Sequence, residues 1–177
     1  ASEAEYVEIG LTEPVEPAAL LAALQGAMPS GLAIVDAVVA QTPNFVERLE
    51  AAVWEIAVPD WDQATVESAL SAYRAAPEVQ VTRKTKSGPR TFDTKAAVLD
   101  LAYRGDKAAD SGTCYAILRL VIRQLTPSVR PDDVLSGICQ VAVLAPPPAP
   151  RITRLAQGPL SVDGLDVGDP LAADRLG

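Results

Sequence analysis

The chain has 177 residues, of which 49% are hydrophobic, and this suits one or two folded domains with a substantial core. It contains no histidine and two cysteines. This excludes Ser-His-Asp and Cys-His catalysis, histidine-ligated zinc sites and a disulfide scaffold. No apolar run approaches the ~20 residues that span a bilayer, and the acidic start has no signal-peptide pattern. A cytoplasmic location is therefore expected.

The net charge of −8 is distributed unevenly along the chain. Residues 1–82 carry two basic and 13 acidic side chains, for a net charge of −11. Residues 83–130 carry ten basic and four acidic side chains, for +6, and the remainder carries −3. Such asymmetry does not determine a fold, but it indicates where a charged partner could bind.

The first 45 residues predict a β-α-β unit. Residues 5–11 alternate well enough for a strand, residues 17–27 carry leucines at helical spacing, and residues 32–39 are β-branched and apolar. One helix over two strands buries little apolar surface, so this unit is marginal alone. We expect one of its strands to expose an unpaired edge, or to be completed by residues 46–156 or a second molecule.

Residues 46–156 predict a longer unit. The pattern favours strands at 50–58, 79–84, 98–103, 113–123, 140–144 and 151–156, helices at 62–75 and from Pro131 to about Cys139, a turn or insertion at 85–97 and a polar loop at 104–112. This order is the split β-α-β pattern of a ferredoxin-like domain with an elaborated central hairpin. The expected fold class is therefore α+β: a ferredoxin-like split β-α-β sandwich, preceded by half of a similar β-α-β unit and followed by an extended tail at 157–177.

The clearest strand is the one at residues 113–123, because its apolar residues alternate. One face is predicted to meet the core, and it carries Cys114, Ala116, Leu118, Leu120 and Ile122. Leu118 and Leu120 should both be buried, since residues two apart share a face. Cys114 is interpreted as a buried structural residue, because only two cysteines occur and they lack the close spacing of an iron–sulfur site.

A basic run is the most informative feature for function. The run and two arginines on the non-core face of the clearest strand are predicted to bind nucleic acid: Arg83, Lys84, Lys86, Arg90, Lys95, Arg119 and Arg123. We expect five of them, Arg83, Lys84, Lys86, Arg90 and Arg119, to form one contiguous positive surface. Two other interpretations remain open: a solvated hairpin whose charges protect an edge from aggregation, and a docking site for the acidic first third of the same chain.

Four segments of the chain form a recognisable combination: ASEAEYVEIGLTEP, MPSGLAIVDA, VTRKTKSGPRTFDTKAAVLDLAY and LTPSVRPDDVL. Together they resemble a bacterial family that is associated with radical SAM enzymes and grouped as domain of unknown function 2344. The resemblance covers roughly residues 1–145. It implies association with radical SAM enzymes or with RNA-processing neighbours. It also implies a preceding strand-helix-strand segment bearing histidines, and this chain would start where that segment finishes.

The function expected from these observations is a non-catalytic binding or adaptor module that works with a radical SAM enzyme or in RNA processing or modification. One alternative is the C-terminal portion of an enzyme whose catalytic residues lie in a preceding segment, and another is a structural interaction domain. The chain alone is expected to lack enzymatic activity, a metal site and a cofactor. The expected partners are a radical SAM protein, RNA, and a second copy bound through an exposed strand edge, with no membrane.

Overall fold

The computed structural model describes residues 1–86, 88–110 and 112–175. The helices and strands follow in chain order: α1 Pro17–Ala27, β1 Ala51–Pro59, α2 Gln63–Ala75, β2 Gln80–Thr85, β3 Gly88–Asp93, β4 Val98–Ala108, β5 Cys114–Arg123, α3 Pro131–Ala142, β6 Arg151–Gly158 and α4 Ala172–Arg175. A short 3-10 helix, Phe45–Arg48, precedes β1.

Four strands form one antiparallel sheet in the order β4-β5-β1-β6. Helix α2 follows β1, and α3 connects β5 to β6, so the order in space is that of a split β-α-β sandwich. Strands β2 and β3 form a separate two-stranded sheet between α2 and β4. The expected α+β, ferredoxin-like class with an elaborated central hairpin is confirmed. The proposed domain boundaries stay a prediction.

Helix α2 begins where the sequence predicted and packs through the predicted stripe. The carboxylate of Asp62 caps the helix by accepting a hydrogen bond of 2.8 Å from the backbone amide of Thr65. Hydrogen bonding from the side chain of Thr65, and then from its backbone, lowers the pKa of Asp62. The buried face of the helix consists of Val66, Ala69, Leu70 and Tyr73. Helix α3 lies beside α2 on the same face of the sheet, and together they cover the main hydrophobic cluster.

The alternation predicted for β5 is confirmed at its centre. Leu118 and Leu120 are fully buried in the main cluster beneath the helices. Val121, on the opposite face, belongs to a smaller cluster with Ala51 and Val53. The end of the strand differs from the prediction, because Cys114 is exposed while Cys139 is buried. Cys114 pairs with Ala108, the last residue of β4, so it lies at the rim of the sheet.

The strands predicted at 5–11 and 32–39 do not form, whereas the helix between them does. A strand is stable only in a ladder, and residues 32–34 instead bond to the side chain of Gln25. Its carbonyl oxygen accepts a 2.7 Å hydrogen bond from the Ile34 amide, and its amide group donates to the Leu32 carbonyl. Residues 1–3 extend the edge of β6, where Ser2 forms a parallel bridge with Arg154.

Three further boundaries are corrected. Residues 88–93, within the expected turn or insertion, form β3, and β4 continues to Ala108 through the expected polar loop because β5 pairs along its length. A bulge between Val98 and Asp100 places Leu99 in the smaller cluster rather than with Leu101. Helix α3 continues to Ala142, so the strand expected at 140–144 is absent from this described stretch.

The segment predicted as an extended tail folds back on the N-terminal region. The carboxylate of Asp174, in α4, accepts hydrogen bonds from the backbone and hydroxyl of Thr42 and from the guanidinium of Arg48, at 2.7–2.8 Å. These donors hold the pKa of Asp174 well below its ordinary value. Arg48 also donates to the Pro170 carbonyl at 2.8 Å. Asp174 therefore links residues 41–48 to the C-terminal segment.

Replacing Asp174 by Asn should lower the unfolding temperature at pH 7, because the bonds from Thr42 and Arg48 lose their charged acceptor. The folded-state pKa is depressed, so the carboxylate stabilises the fold above its unfolded pKa of about 3.9, and this contribution is lost as the pH falls through the folded-state value. The difference in unfolding temperature between wild type and D174N should therefore narrow below about pH 4.

Calorimetry over a pH series measures this difference. The control is E47Q, which changes an exposed residue of the same segment. Equal unfolding temperatures of wild type and D174N at pH 7 would contradict the role given to Asp174.

Candidate nucleic-acid interface

The hairpin formed by β2 and β3 carries the basic run. Its register places Arg83 opposite Arg90, and Lys84 opposite Pro89. Gly88, at the start of β3, has φ +110, a backbone conformation that glycine adopts without strain. Because successive residues in a strand project to opposite faces, Arg83 and Lys84 lie on different sides of the hairpin.

The base of the hairpin is anchored in the core. Val81 and Phe92 are register partners and both are buried. Below them, the buried hydroxyl of Thr94 donates to the Val79 carbonyl at 3.2 Å and shares a 2.9 Å hydrogen bond with the Tyr73 hydroxyl. Burial raises the pKa of Tyr73 to about 12. These contacts fix the direction in which the hairpin leaves the fold.

Arg83 belongs to this anchor. Its guanidinium forms an ion pair with the buried carboxylate of Asp133, donates to the Ser128 carbonyl at 3.1 Å and lies 5.1 Å from the centre of the Phe92 ring. Asp133 also accepts a 2.8 Å hydrogen bond from the backbone amide of Arg130 at the start of α3. Arg83 therefore connects β2 to α3, and its charge is compensated within the fold.

Lys95 and Arg119 are also used inside the fold. The ammonium group of Lys95 donates to the carbonyls of Arg74 and Ala76, where α2 ends and its free carbonyls favour a cation. Arg119 donates to the Leu165 carbonyl at 2.9 Å and forms ion pairs with Asp166 at 3.0 Å and Asp100 at 3.5 Å.

The remaining predicted cations are exposed. Within residues 1–86, 88–110 and 112–175, the side chains of Lys84, Lys86, Arg90 and Arg123 form no ion pair or hydrogen bond. The first three lie towards the tip of the hairpin, whereas Arg123 ends β5 in the main sheet. The expectation of one contiguous surface is therefore corrected. Strand alternation and separate elements divide the seven cations, and the nucleic-acid role stays a prediction.

The face of the main sheet opposite the helices carries functional candidates beyond the seven predicted cations. Tyr115 is half-buried there, with the guanidinium of Arg151 4.7 Å from its ring centre. Arg104 and Arg119 line a neighbouring cleft of about 490 Å³. Arg104 was missed because residues 104–112 were predicted as a loop. Strand alternation places Tyr115 on this face, and its contact with Arg151 joins strands that are distant in sequence.

The described residues contain no group of three or more His, Cys, Asp or Glu side chains that could hold a metal ion. The carboxylate of Asp106 accepts a 2.6 Å hydrogen bond from the Tyr103 hydroxyl, which raises the pKa of Tyr103 to about 12. Asp93 accepts hydrogen bonds from the backbone amides of Val79 and Lys95.

Among the described residues, none of the helices has the length and apolar character of a membrane-spanning segment.

The fold and this surface define a class: an α+β protein with a ferredoxin-like sheet and an inserted basic hairpin. A protein-family profile described as "uncharacterized protein conserved in bacteria (DUF2344)" matches residues 1–131. The chain belongs to this bacterial family. The match ends at the first residue of α3, so it includes the hairpin and precedes β6 and α4. No curated protein and no solved structure shows significant similarity to the chain.

The close packing of α3 against the base of the hairpin gives a test of the anchor. A Cβ atom on Gly137 would lie 2.7 Å from Cγ1 of the buried Val79. Overpacking costs about 1–3 kcal/mol, whereas alanine gains about 1 kcal/mol over glycine in a helix interior. Gly137→Ala should therefore lower the free energy of unfolding, measured by denaturant titration. The control is Gly26→Ala in α1, where the added Cβ meets nothing within 4 Å and stability should be equal or higher. An unchanged or higher stability of G137A would show that the anchor is loose.

Proposed function

We propose that this protein is a non-catalytic adaptor that binds RNA through the tip of the hairpin formed by β2 and β3. The observation that carries the proposal is the contrast between used and unused cations. Arg83 forms an ion pair with Asp133, whereas Lys84, Lys86 and Arg90 are exposed without a described partner. Cations that the fold does not need remain available to neutralise phosphates.

The internal docking alternative receives less support. Residues 41–48 of the acidic first third bond to the C-terminal segment through Asp174 and Pro170. Glu5 pairs with Arg154 of β6 rather than with a hairpin cation. The interpretation as a solvated, protected edge is compatible with the same geometry, so an RNA-binding measurement must decide between the two.

The variant K84Q/R90Q should weaken binding of RNA by the same factor for every sequence, since phosphate contacts carry no base information. Each lost phosphate contact on a single strand reduces the slope of log K against log salt by about 0.7, so the double variant should reduce it by about 1.4. Fluorescence anisotropy over a salt series measures both quantities.

The matched control is A64E/Q124E, which changes the net charge by the same amount at two exposed positions outside the hairpin. A long-range effect of net charge would weaken both variants alike. Equal losses in the two variants, or no RNA binding by wild type at low salt, would refute a specific role for the hairpin tip.

A second candidate function, docking to a protein, is favoured by the apolar surface of the N-terminal segment. Twelve large apolar side chains are exposed in the described ranges, and eight of them lie between residues 7 and 46: Val7, Ile9, Leu11, Val15, Leu32, Val35, Val39 and Val46. Concentrated apolar exposure of this kind is typical of interaction surfaces. The family resemblance makes a radical SAM protein the proposed partner, and a second copy of this chain is the alternative.

Sedimentation velocity separates these partners. A radical SAM protein from the same organism should form a faster-sedimenting complex with the wild type and a weaker one with V35S/V39S, because Val35 is 87% exposed and Val39 54%. The control, V143S, alters another side chain that is 90% exposed but lies after α3. Concentration-dependent self-association abolished by V35S/V39S would indicate the second copy instead. Unchanged sedimentation in both experiments would reject the apolar segment as a docking surface.

A further inference from the structure

The open face of the main sheet, opposite α2 and α3, is covered over only part of its area. Leu160 and Val167, from the loop after β6, pack on the small cluster that contains Val53 and Val121. The same loop holds Arg119 through Asp166. Towards the other end of β5, neither apolar cluster of the described residues includes Tyr115.

Two cations flank this ring from other strands of the sheet, one from the adjacent β4 and one from β6, which lies beyond β1. Tyr115 pairs across the ladder with Lys107 of β4, and cross-strand partners lie on the same face of the sheet. The guanidinium of Arg151, which begins β6, lies 4.7 Å from the ring centre. Lys107 and Arg151 are exposed, and within the described ranges neither forms an ion pair. The three side chains come from three strands, so the sheet itself holds the arrangement in place.

We infer that Tyr115, Arg151 and Lys107 form a base-stacking subsite for single-stranded RNA. The inference rests on the RNA binding proposed above and adds a second surface to the hairpin tip. An unpaired base can stack on an aromatic ring or on a guanidinium plane, and cations beside the ring neutralise the adjoining phosphates. Phe92, the aromatic residue of the hairpin, cannot serve in this way, because it is only 9% exposed.

The ligand class follows from the geometry of the face. Tyr115 lies on a sheet and is accessible from one side, so it can meet a base that has left its stack but not one inside a duplex. Asp163 and Asp166 line the cleft that also contains Arg104 and Arg119.

The test compares an oligouridine with an abasic strand of the same length and charge. Tyr115→Ala should weaken binding of the oligouridine about fivefold or more and leave binding of the abasic strand unchanged. Tyr115→Phe, which keeps the ring, should bind both strands as wild type does. K84Q/R90Q should weaken both strands alike, because it removes phosphate contacts only.

The outcomes separate the two proposals. Equal affinities of Y115A and wild type for oligouridine, or equal losses for both strands, overturn the stacking subsite and leave RNA binding at the hairpin tip intact. Failure of the wild type to bind either strand overturns both proposals. Should Y115A fail to fold in a thermal scan, Tyr115→Leu removes the ring while keeping an apolar side chain, and the same comparison decides.

Discussion

The burial of one face of β1 and β5 beneath α2 and α3 is the constraint on which the rest of the structure depends. Ile56, Leu118 and Leu120 are inaccessible to solvent in this layer, as are Val66 of α2 and Ile138 of α3. Burying each large apolar side chain contributes roughly 1.5–3 kcal/mol. Once both helices occupy this face, the other face of the sheet and the hairpin between α2 and β4 are the parts left to carry function.

The same packing decides which charges remain available. Asp133 is buried because it lies in the first turn of α3, where the helix meets the base of the hairpin, and a buried carboxylate requires a partner. Arg83 provides the partner and is thereby lost as a ligand-binding group. Lys84 projects to the opposite side of the same strand, where its ammonium group is exposed to solvent. The basic run is thus anchored at both ends, by Arg83 and Lys95, and leaves exposed cations near the hairpin turn between them.

Local sequence patterns correctly predicted the elements that bury an apolar face in the main hydrophobic cluster. Helix α2 and strand β5 followed from periodicity because their apolar stripes coincide with the faces they bury. The predictions of strand ends and of side-chain exposure failed where contacts between residues distant in sequence determine them. The extension of β4 to Ala108 depends on its pairing with β5, and Cys114 is exposed where it pairs with that last residue at the rim of the sheet. Arg119 looked like a free cation because Asp166, its partner, lies 47 positions further along the chain. The family resemblance was confirmed over residues 1–131, but it carries no information on which cations the fold consumes.

The N-terminal segment shows what happens when the described chain supplies no packing partner for a pattern that favours strands. Its sequence has the alternation of strands, yet residues 5–11 and 32–39 form none, and Val7 and Val35 are more than 80% exposed. Of the described residues 17–27, none is buried, so α1 adds nothing to the core. What attaches the segment is polar: the amide of Glu3 donates to the Arg154 carbonyl at 2.8 Å, and Asp174 binds Thr42. These polar contacts position the segment without burying its apolar side chains. Each hydrogen bond contributes about 1 kcal/mol net, whereas burying a large apolar side chain would contribute roughly 1.5–3 kcal/mol. A partner strand beside either stretch would supply both this burial and the ladder that the sequence of residues 5–11 and 32–39 favours.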